Sequence, residues 1–190
     1  MEQIVRKATT EDVAVIAELA AKTFAFACCS GTPVEDIESY ISAELSPGRF
    51  LEHVGNPSRE IFIAEHDALV CGYMMLSRES VPDELIARDP LEVSRIYVAP
   101  ELHGVGVAKA LLDVAVARAR AMDHDYLWLR VSGDNRRGVA FYLKHGFSIV
   151  GRCLFTLGNV TYEGHLMSLA VSPDKLFRDS SGSIHLLRHR

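Results

Sequence analysis

The sequence predicts an α/β sandwich around a mixed, mostly antiparallel sheet of about seven strands. Three observations predict it. β-Branched and aromatic runs alternate along the chain with segments whose apolar residues recur at helical spacing. Two pairs of β-rich runs are separated only by short turns, at residues 66–68 and around Gly158-Asn159, which marks antiparallel hairpins. Between them, residues 94–112 run from a strand-like segment through a glycine-bearing turn into a long helical pattern.

Taken in order, residues 4–6 form a first strand. Thr9 or Thr10 can cap a helix over 11–22, whose Val13, Ile16, Ala17, Leu19 and Ala20 share one face. Thr32 as cap and Pro33 as an early helical residue open a second helix over 34–45, which Pro47-Gly48 breaks. Residues 60–65 and 69–76 are the strands of the first hairpin, and 81–90, with two prolines and several acids, is a loop. A strand over 91–98, a helix over 105–122, a strand over 126–131 and a helix over 136–145 follow. Residues 149–157 and 162–169 make the closing hairpin. No repeat or low-complexity segment interrupts the series. The folded domain is expected over 1–170, with 171–190 as a tail whose composition shifts at Pro173 and ends in a basic run.

A chain of 190 residues suits one domain with its own core. With 48% apolar and 24% charged residues it belongs among globular rather than disordered chains. The net charge of −5 and the lack of a basic stripe argue against nucleic acid as a partner. Cys28, Cys29, Cys71 and Cys153 include no C-x-x-C spacing, so no zinc site is expected, and they read as reduced thiols of a cytoplasmic protein. Cys71 and Cys153 read as small buried apolar residues. Residues 1–10 are charged and have no apolar core, so no leader is expected. No apolar run is long enough to span a membrane.

The segment with the most chemistry in it is the turn at Gly104 and Gly106. A strand feeding a glycine turn at a helix N-terminus leaves backbone N–H groups unpartnered at the positive end of the helix dipole, an arrangement suited to phosphate. Two familiar phosphate loops do not fit. The nucleoside-triphosphate loop needs four residues between its glycines and then Lys and Ser or Thr. Here Val105 alone separates Gly104 from Gly106, and Val107-Ala108 follow. The dinucleotide fingerprint needs a third glycine or alanine where this chain has Lys109. On these residues alone, a tight strand-to-helix turn without ligand stays open.

A second pattern lies roughly 30 residues further on, and two ordered motifs are more specific than one. Asn135, Gly138, Phe141, Tyr142, Gly146 and Phe147 follow N-x-x-A-x-x-F/L-Y-x-x-x-G-F, with Gly138 at the alanine position. His103, Gly104, Val105, Gly106, Val107 and Ala108 follow Q/R-x-x-G-x-G/A, with His103 at the first position. On these motifs the chain resembles the GCN5-related N-acetyltransferase (GNAT) superfamily, over residues 4–169. A narrower likeness, to the bacterial spermidine/spermine acetyltransferase (PaiA-like) branch, rests on Thr23-Phe24, Tyr40, Asn56-Pro57-Ser58, Gly72-Tyr73, Leu91-Glu92, residues 95–98, Trp128-Leu129, residues 155–158 and Leu166-Met167. That branch is rich in Trp and Glu where this chain has residues 130–134.

The resemblance implies a sheet splayed between its fourth and fifth strands, 91–98 and 126–131, to admit the pantetheine arm of acetyl-CoA. It implies that backbone groups of Ile96 and Val98 pair with pantetheine, with Tyr97 between them among the cofactor-binding residues, and that the N–H of Ile96 or its neighbour donates to the thioester carbonyl. His103, Gly104, Val105, Gly106, Val107 and Ala108 would hold the pyrophosphate, and Asn135 is either a cofactor contact or a helix cap. Tyr142 is the candidate general acid: a phenol with pKa about 10 is protonated at neutral pH and can serve a thiolate whose reference is about 8.5. Glu92 is the candidate base, expected by strand alternation to share a face with Ser94, Ile96 and Val98. The activity so implied is acetyl transfer from acetyl-CoA to a primary amine of a small molecule, a polyamine among the candidates, with no metal. Asp83, Glu84, Asp89 and Glu92 would form a cation-attracting rim if their loop faces the cleft. The rivals are acetylation of a protein N-terminus or lysine, and a non-catalytic acyl-CoA-binding regulatory module. A homodimer through residues 151–169 is a further expectation.

Overall fold

The computed structural model describes residues 3–28, 31–79, 81–82, 85, 90–171, 177–178 and 184–185. The rim acids Asp83, Glu84 and Asp89, Cys29 and nearly all of the expected tail lie outside the described residues. Seven strands make one sheet: β1 (Gln3–Lys7), β2 (Arg59–His66), β3 (Leu69–Ser77), β4 (Leu91–Val98), β5 (Tyr126–Ser132), β6 (Ser148–Leu157) and β7 (Val160–Ala170), in the order β1-β2-β3-β4-β5-β7-β6. Every neighbouring pair is antiparallel except β4 with β5. The expected α/β sheet is therefore the observed one. A two-residue ladder, Phe177–Arg178 with Ile184–His185, is all that is described past Val171.

Helices cover both faces. α1 (Val13–Ala27), α2 (Val34–Glu44) and α3 (Pro47–Gly55) lie on one side, and α4 (Val107–Ala121) and α5 (Arg136–Lys144) on the other. On the α4 side, Leu111, Ala115 and Ala119 recur at helical spacing and pack on Met74, Leu76, Val93, Leu127 and Leu129. The two alanines leave no bulk between helix and sheet. On the opposite side, Ile16, Ala17 and Ala20 of α1 and Phe50 of α3 meet Ile61, Ile63, Tyr73 and Met75. Each fully buried aliphatic side chain contributes roughly 1.5–3 kcal/mol.

The first three helices differ from the sequence reading, and α4 starts at Val107 rather than at 105. A 3-10 turn (Thr10–Asp12) precedes α1, and the helix runs on to Ala27. Thr23 is tolerated inside it because its hydroxyl donates to the Leu19 carbonyl at 2.7 Å. Thr32 does not cap α2: Pro33 stands at the N-cap, and the Thr32 hydroxyl pairs with that of Tyr162 at 2.8 Å. Pro47-Gly48 ends one helix but also starts another. Ser46 is the N-cap of α3, accepting from the Arg49 N–H at 3.4 Å, and Pro47 occupies the first turn, where a missing N–H costs nothing. Cys71 is buried as expected, its thiol donating to the Ala64 carbonyl at 3.3 Å. Among the described residues no helix is long and apolar enough to cross a membrane.

Candidate functional site

β4 and β5 run parallel but pair only at Leu91 with Leu127 and Glu92 with Trp128. Beyond that point they separate. The outer edge of β4 stays paired with β3 as far as Val98, and the outer edge of β5 with β7. The facing inner edges, from Val93 to Val98 and from Leu129 to Ser132, therefore have no strand between them. An edge of this kind presents alternate N–H and C=O groups that an extended ligand can satisfy. A cleft of about 960 Å³ opens at the gap, lined by Val93 to Val98 on one side and Arg130 to Ser132 on the other.

β4 carries a bulge. Met75 pairs with Arg95 and Leu76 with Val93, so Ser94 is the extra residue, its hydroxyl donating to the Met75 carbonyl at 3.0 Å. Side-chain alternation slips by one across it. Leu91 and Val93 before the bulge, and Ile96 and Val98 after it, all join the α4 core. Glu92 therefore does not share a face with Ile96 and Val98, as simple alternation expects. It points to the α1–α3 side, 6% exposed, with one oxygen 3.4 Å from the Arg130 guanidinium. Burial pushes its carboxyl up from the ordinary glutamate value, against the pull of Arg130.

The glycine turn joins β4 to α4. Gly104 and Gly106 hold φ of 88° and 98°, which a residue with a Cβ adopts only under strain. A Cβ at either would meet no atom within 4 Å, so backbone conformation rather than local crowding is what calls for glycine. The first carbonyl taken up by α4 is that of Gly106, from the Ala110 N–H at 3.0 Å. The N–H groups of Val107, Ala108 and Lys109 thus head the helix without helical partners, and no acid sits in its first turn to satisfy or oppose them. His103 lines the cleft, and its ring ties the turn down. Nε2–H donates to the Val98 carbonyl at 2.9 Å, which fixes the tautomer and leaves Nδ1 to accept from the Arg137 guanidinium at 2.5 Å.

α5 faces this turn across the cleft. Asn135 is its N-cap, accepting from the Gly138 N–H at 2.8 Å. A Cβ on residue 138 would lie 2.7 Å from the Asn135 amide nitrogen, so the glycine at this position belongs with the cap. Tyr142 lines the cleft from the same helix, packed edge-on against Phe141 and Phe147 with centroids 5.3 and 5.4 Å away. Burial pushes its phenol well above the ordinary value. Tyr97 stacks on Tyr73 at 5.7 Å, and burial pushes its phenol up to about 12. Both phenols hold their protons at neutral pH.

The far end of the cleft, under α1 and α2, is made of side chains. Phe24 and Tyr40 stack at 4.5 Å. Arg95 sits with its guanidinium 5.9 Å from the Phe50 ring centroid, and Arg130 lies 5.6 Å over Trp128. Although the chain is acidic overall, Lys109, Arg136, Arg137 and Lys144 line the cleft at the turn end and Arg95 and Arg130 at the other, against Asp134. Sequence reasoning missed Arg95 and Arg130 as cleft residues. The Glu92–Arg130 contact joins two strands through their parallel pairing, and no local spacing announces it. Among the described residues no His, Cys, Asp and Glu side chains gather into a group able to hold a metal.

A family model described as Acetyltransferase (GNAT) family matches residues 17–147. An uncharacterized N-acetyltransferase of Mycobacterium tuberculosis is 38% identical over 147 residues, covering 77% of this chain and 90% of the relative. Among solved structures, the PaiA N-acetyltransferase of Thermoplasma acidophilum in complex with coenzyme A superposes with a TM-score of 0.73 at 23% identity, over 90% of this chain and 99% of that one. The yncA protein of Salmonella typhimurium, solved with acetyl-CoA, gives 0.67 at 16% identity, over 95% and 99%. At these identities the two structures speak for the fold.

Proposed function

This chain belongs to the acetyltransferase (GNAT) family and is an acyltransferase, and from that premise we propose that it moves the acetyl group of acetyl-CoA to a primary amine of a small molecule. The observation that carries this reading is the meeting of three features in one cleft: an unpaired β4 edge, an acid-free helix N-terminus behind Gly104 and Gly106, and a basic lining in a chain of net charge −5. A long ligand with a polar, amide-bearing arm and a phosphorylated end matches all three.

In this reading the backbone of Ile96, Tyr97 and Val98 takes the arm as an added strand, and the Ile96 N–H donates to the thioester oxygen. The N–H groups from Gly104 to Ala108 hold the pyrophosphate, with Arg137 beside them. His103 supports the turn by holding Val98 and Arg137 rather than by touching phosphate itself. Asn135 acts through its cap, setting the start of α5. The amine nitrogen attacks the thioester carbonyl, the C–N bond forms and the C–S bond breaks. Tyr142, held protonated by burial, gives its proton to the departing sulfur. The proton lost by the amine goes to Glu92 through water, because Glu92 is buried on the α1–α3 side of β4 and does not line the cleft itself. Spermidine and spermine are small amines within this class and belong in the panel that tests it. The expected homodimer would use β6, the outermost strand, on which Leu154 is 68% exposed.

The test is release of free CoA from acetyl-CoA against spermidine, spermine, amino acids, aminoglycosides and short peptides. Selective turnover of a small amine is the expected result. Turnover of peptides alone would replace this reading with protein acetylation. Binding of acetyl-CoA without turnover of any amine would replace it with a regulatory acyl-CoA-binding module.

A further inference from the structure

We propose that the acceptor amine carries a carboxylate and that Arg95 is the residue that holds it. The inference rests on the acetyl-transfer reading, since it names the second substrate of the same cleft. Arg95 lines the cleft, and its Nη1 is buried without a hydrogen-bond partner. A buried cationic donor left unbonded is costly, and such groups are ordinarily satisfied. No carboxylate among the described residues pairs with it. Glu92 is turned to Arg130 at 3.4 Å, and Glu79 binds Arg59 and Asn56. The guanidinium lies over the Phe50 ring, which braces it from one side.

A second unsatisfied donor lies close by. The Tyr73 side chain is fully buried, its hydroxyl makes no hydrogen bond, and Arg95 acts on it electrostatically. Arg95 is therefore the outermost of two unmet donors above an aromatic floor. A guanidinium offers paired N–H groups that match a carboxylate in one plane, and a fork of this kind selects for that group. The same arrangement disfavours a polycation. Additional ammonium groups in the acceptor would approach Arg95 and Arg130, and among the described lining residues Asp134 is the single carboxylate to offset them, so a like-charge penalty discriminates against such substrates. Phe24 and Tyr40 give the acceptor an apolar wall. The class that fits is an amine with a carboxylate a short distance away, as in an amino acid.

The test compares wild type, Arg95→Met and Arg95→Lys on α-amino acids, their carboxamides and spermidine. Turnover is followed by CoA release, and binding of the N-acetyl amino acid and its carboxamide by calorimetry in the presence of CoA. Wild type is expected to prefer the free acid to the carboxamide by about tenfold or more, as charge-assisted pairing implies. Arg95→Met should raise KM for the acid about tenfold to a hundredfold, leave the carboxamide nearly unchanged, and keep the acetyl-CoA affinity. Arg95→Lys should fall between them, and it carries the test if the methionine variant does not fold. Equal loss on acid and carboxamide, or a wild-type preference for spermidine, would overturn the proposal. If no amine is turned over, the transfer reading fails by itself. The binding contrast then still decides Arg95: equal binding of acid and carboxamide by wild type overturns it, and a preference abolished by Arg95→Met upholds it.

Discussion

At the α4 end the groups that face the cleft from β4 and the turn are main chain, a β4 edge, two glycines at positive φ and the first N–H groups of a helix, with basic side chains around them. At the α1–α3 end it is walled by side chains: the Phe24–Tyr40 stack, Arg95 over Phe50 and Arg130 over Trp128. Main-chain donors are the same whatever residue carries them, so the first end suits a ligand that every relative shares. Side chains change one at a time, so the second end suits a ligand that differs between relatives. The fold thus separates what is common to the reaction from what is particular to this chain.

That division can be broken experimentally. Between the two ends stands Tyr142, and the largest effect is expected there. Tyr142→Phe should lower kcat by about 10² to 10⁴ while leaving acetyl-CoA binding intact, since it removes a proton donor and almost no surface. Unchanged turnover would take Tyr142 out of the chemistry. Glu92→Gln is expected to cost about 10² in kcat/KM and to erase the acid limb of its pH profile, a limb placed above 4.5 because burial raises the Glu92 carboxyl. The sign of the accompanying stability change is separate. A carboxyl raised in the folded state favours folding while protonated and loses that contribution as pH rises through its folded pKa. The glutamine variant should therefore be at least as heat-stable as wild type at neutral pH, and a large fall in melting temperature would make Glu92 a structural partner of Arg130 instead.

Gly106→Val acts on the other end. Forcing a β-branched residue to φ near 98° strains the turn, and acetyl-CoA should bind about tenfold to a hundredfold more weakly by calorimetry. Binding of the acetylated acceptor alone should hardly change, and an equal loss of both would show that the two ends are not independent. The smallest effect belongs to His53. Burial first, and Arg59 next, push its pKa from 6.5 down to about 4. A base depressed in the folded state stabilises above its unfolded value and loses that contribution as pH falls toward 4. The melting temperature should drop over that window, and His53→Gln should flatten the drop.

The turn end was legible in the sequence because its signals are local. Glycine spacing, a strand before it and a helix after it lie within residues 94–112, and the resemblance rested on that stretch together with the second local motif at 135–147. The acceptor end was not, because pairing made it. The bulge at Ser94 exists only against β3, and it is what turns Glu92 to the face opposite Ile96. Arg130 meets Glu92 only because β5 lies beside β4. The net charge of −5 concealed a basic cleft, since a sum over residues says nothing of where they gather. Pro47 was read as a terminator, although Ser46 before it is the usual opening of a helix.

The two pairs joining β4 to β5 also bear on the integrity of the whole sheet. With only Leu91–Leu127 and Glu92–Trp128 as rungs, the free protein is two part-sheets meeting at a seam, β1 to β4 on one side and β5 to β7 with β6 on the other. In the proposed reading a ligand arm lying in that seam would supply the missing rungs, making the substrate for a time an eighth strand and a structural member of its own enzyme. Amide hydrogens of residues 93–98 and 129–132 should exchange more slowly as the cleft fills, and heat stability should rise with occupancy.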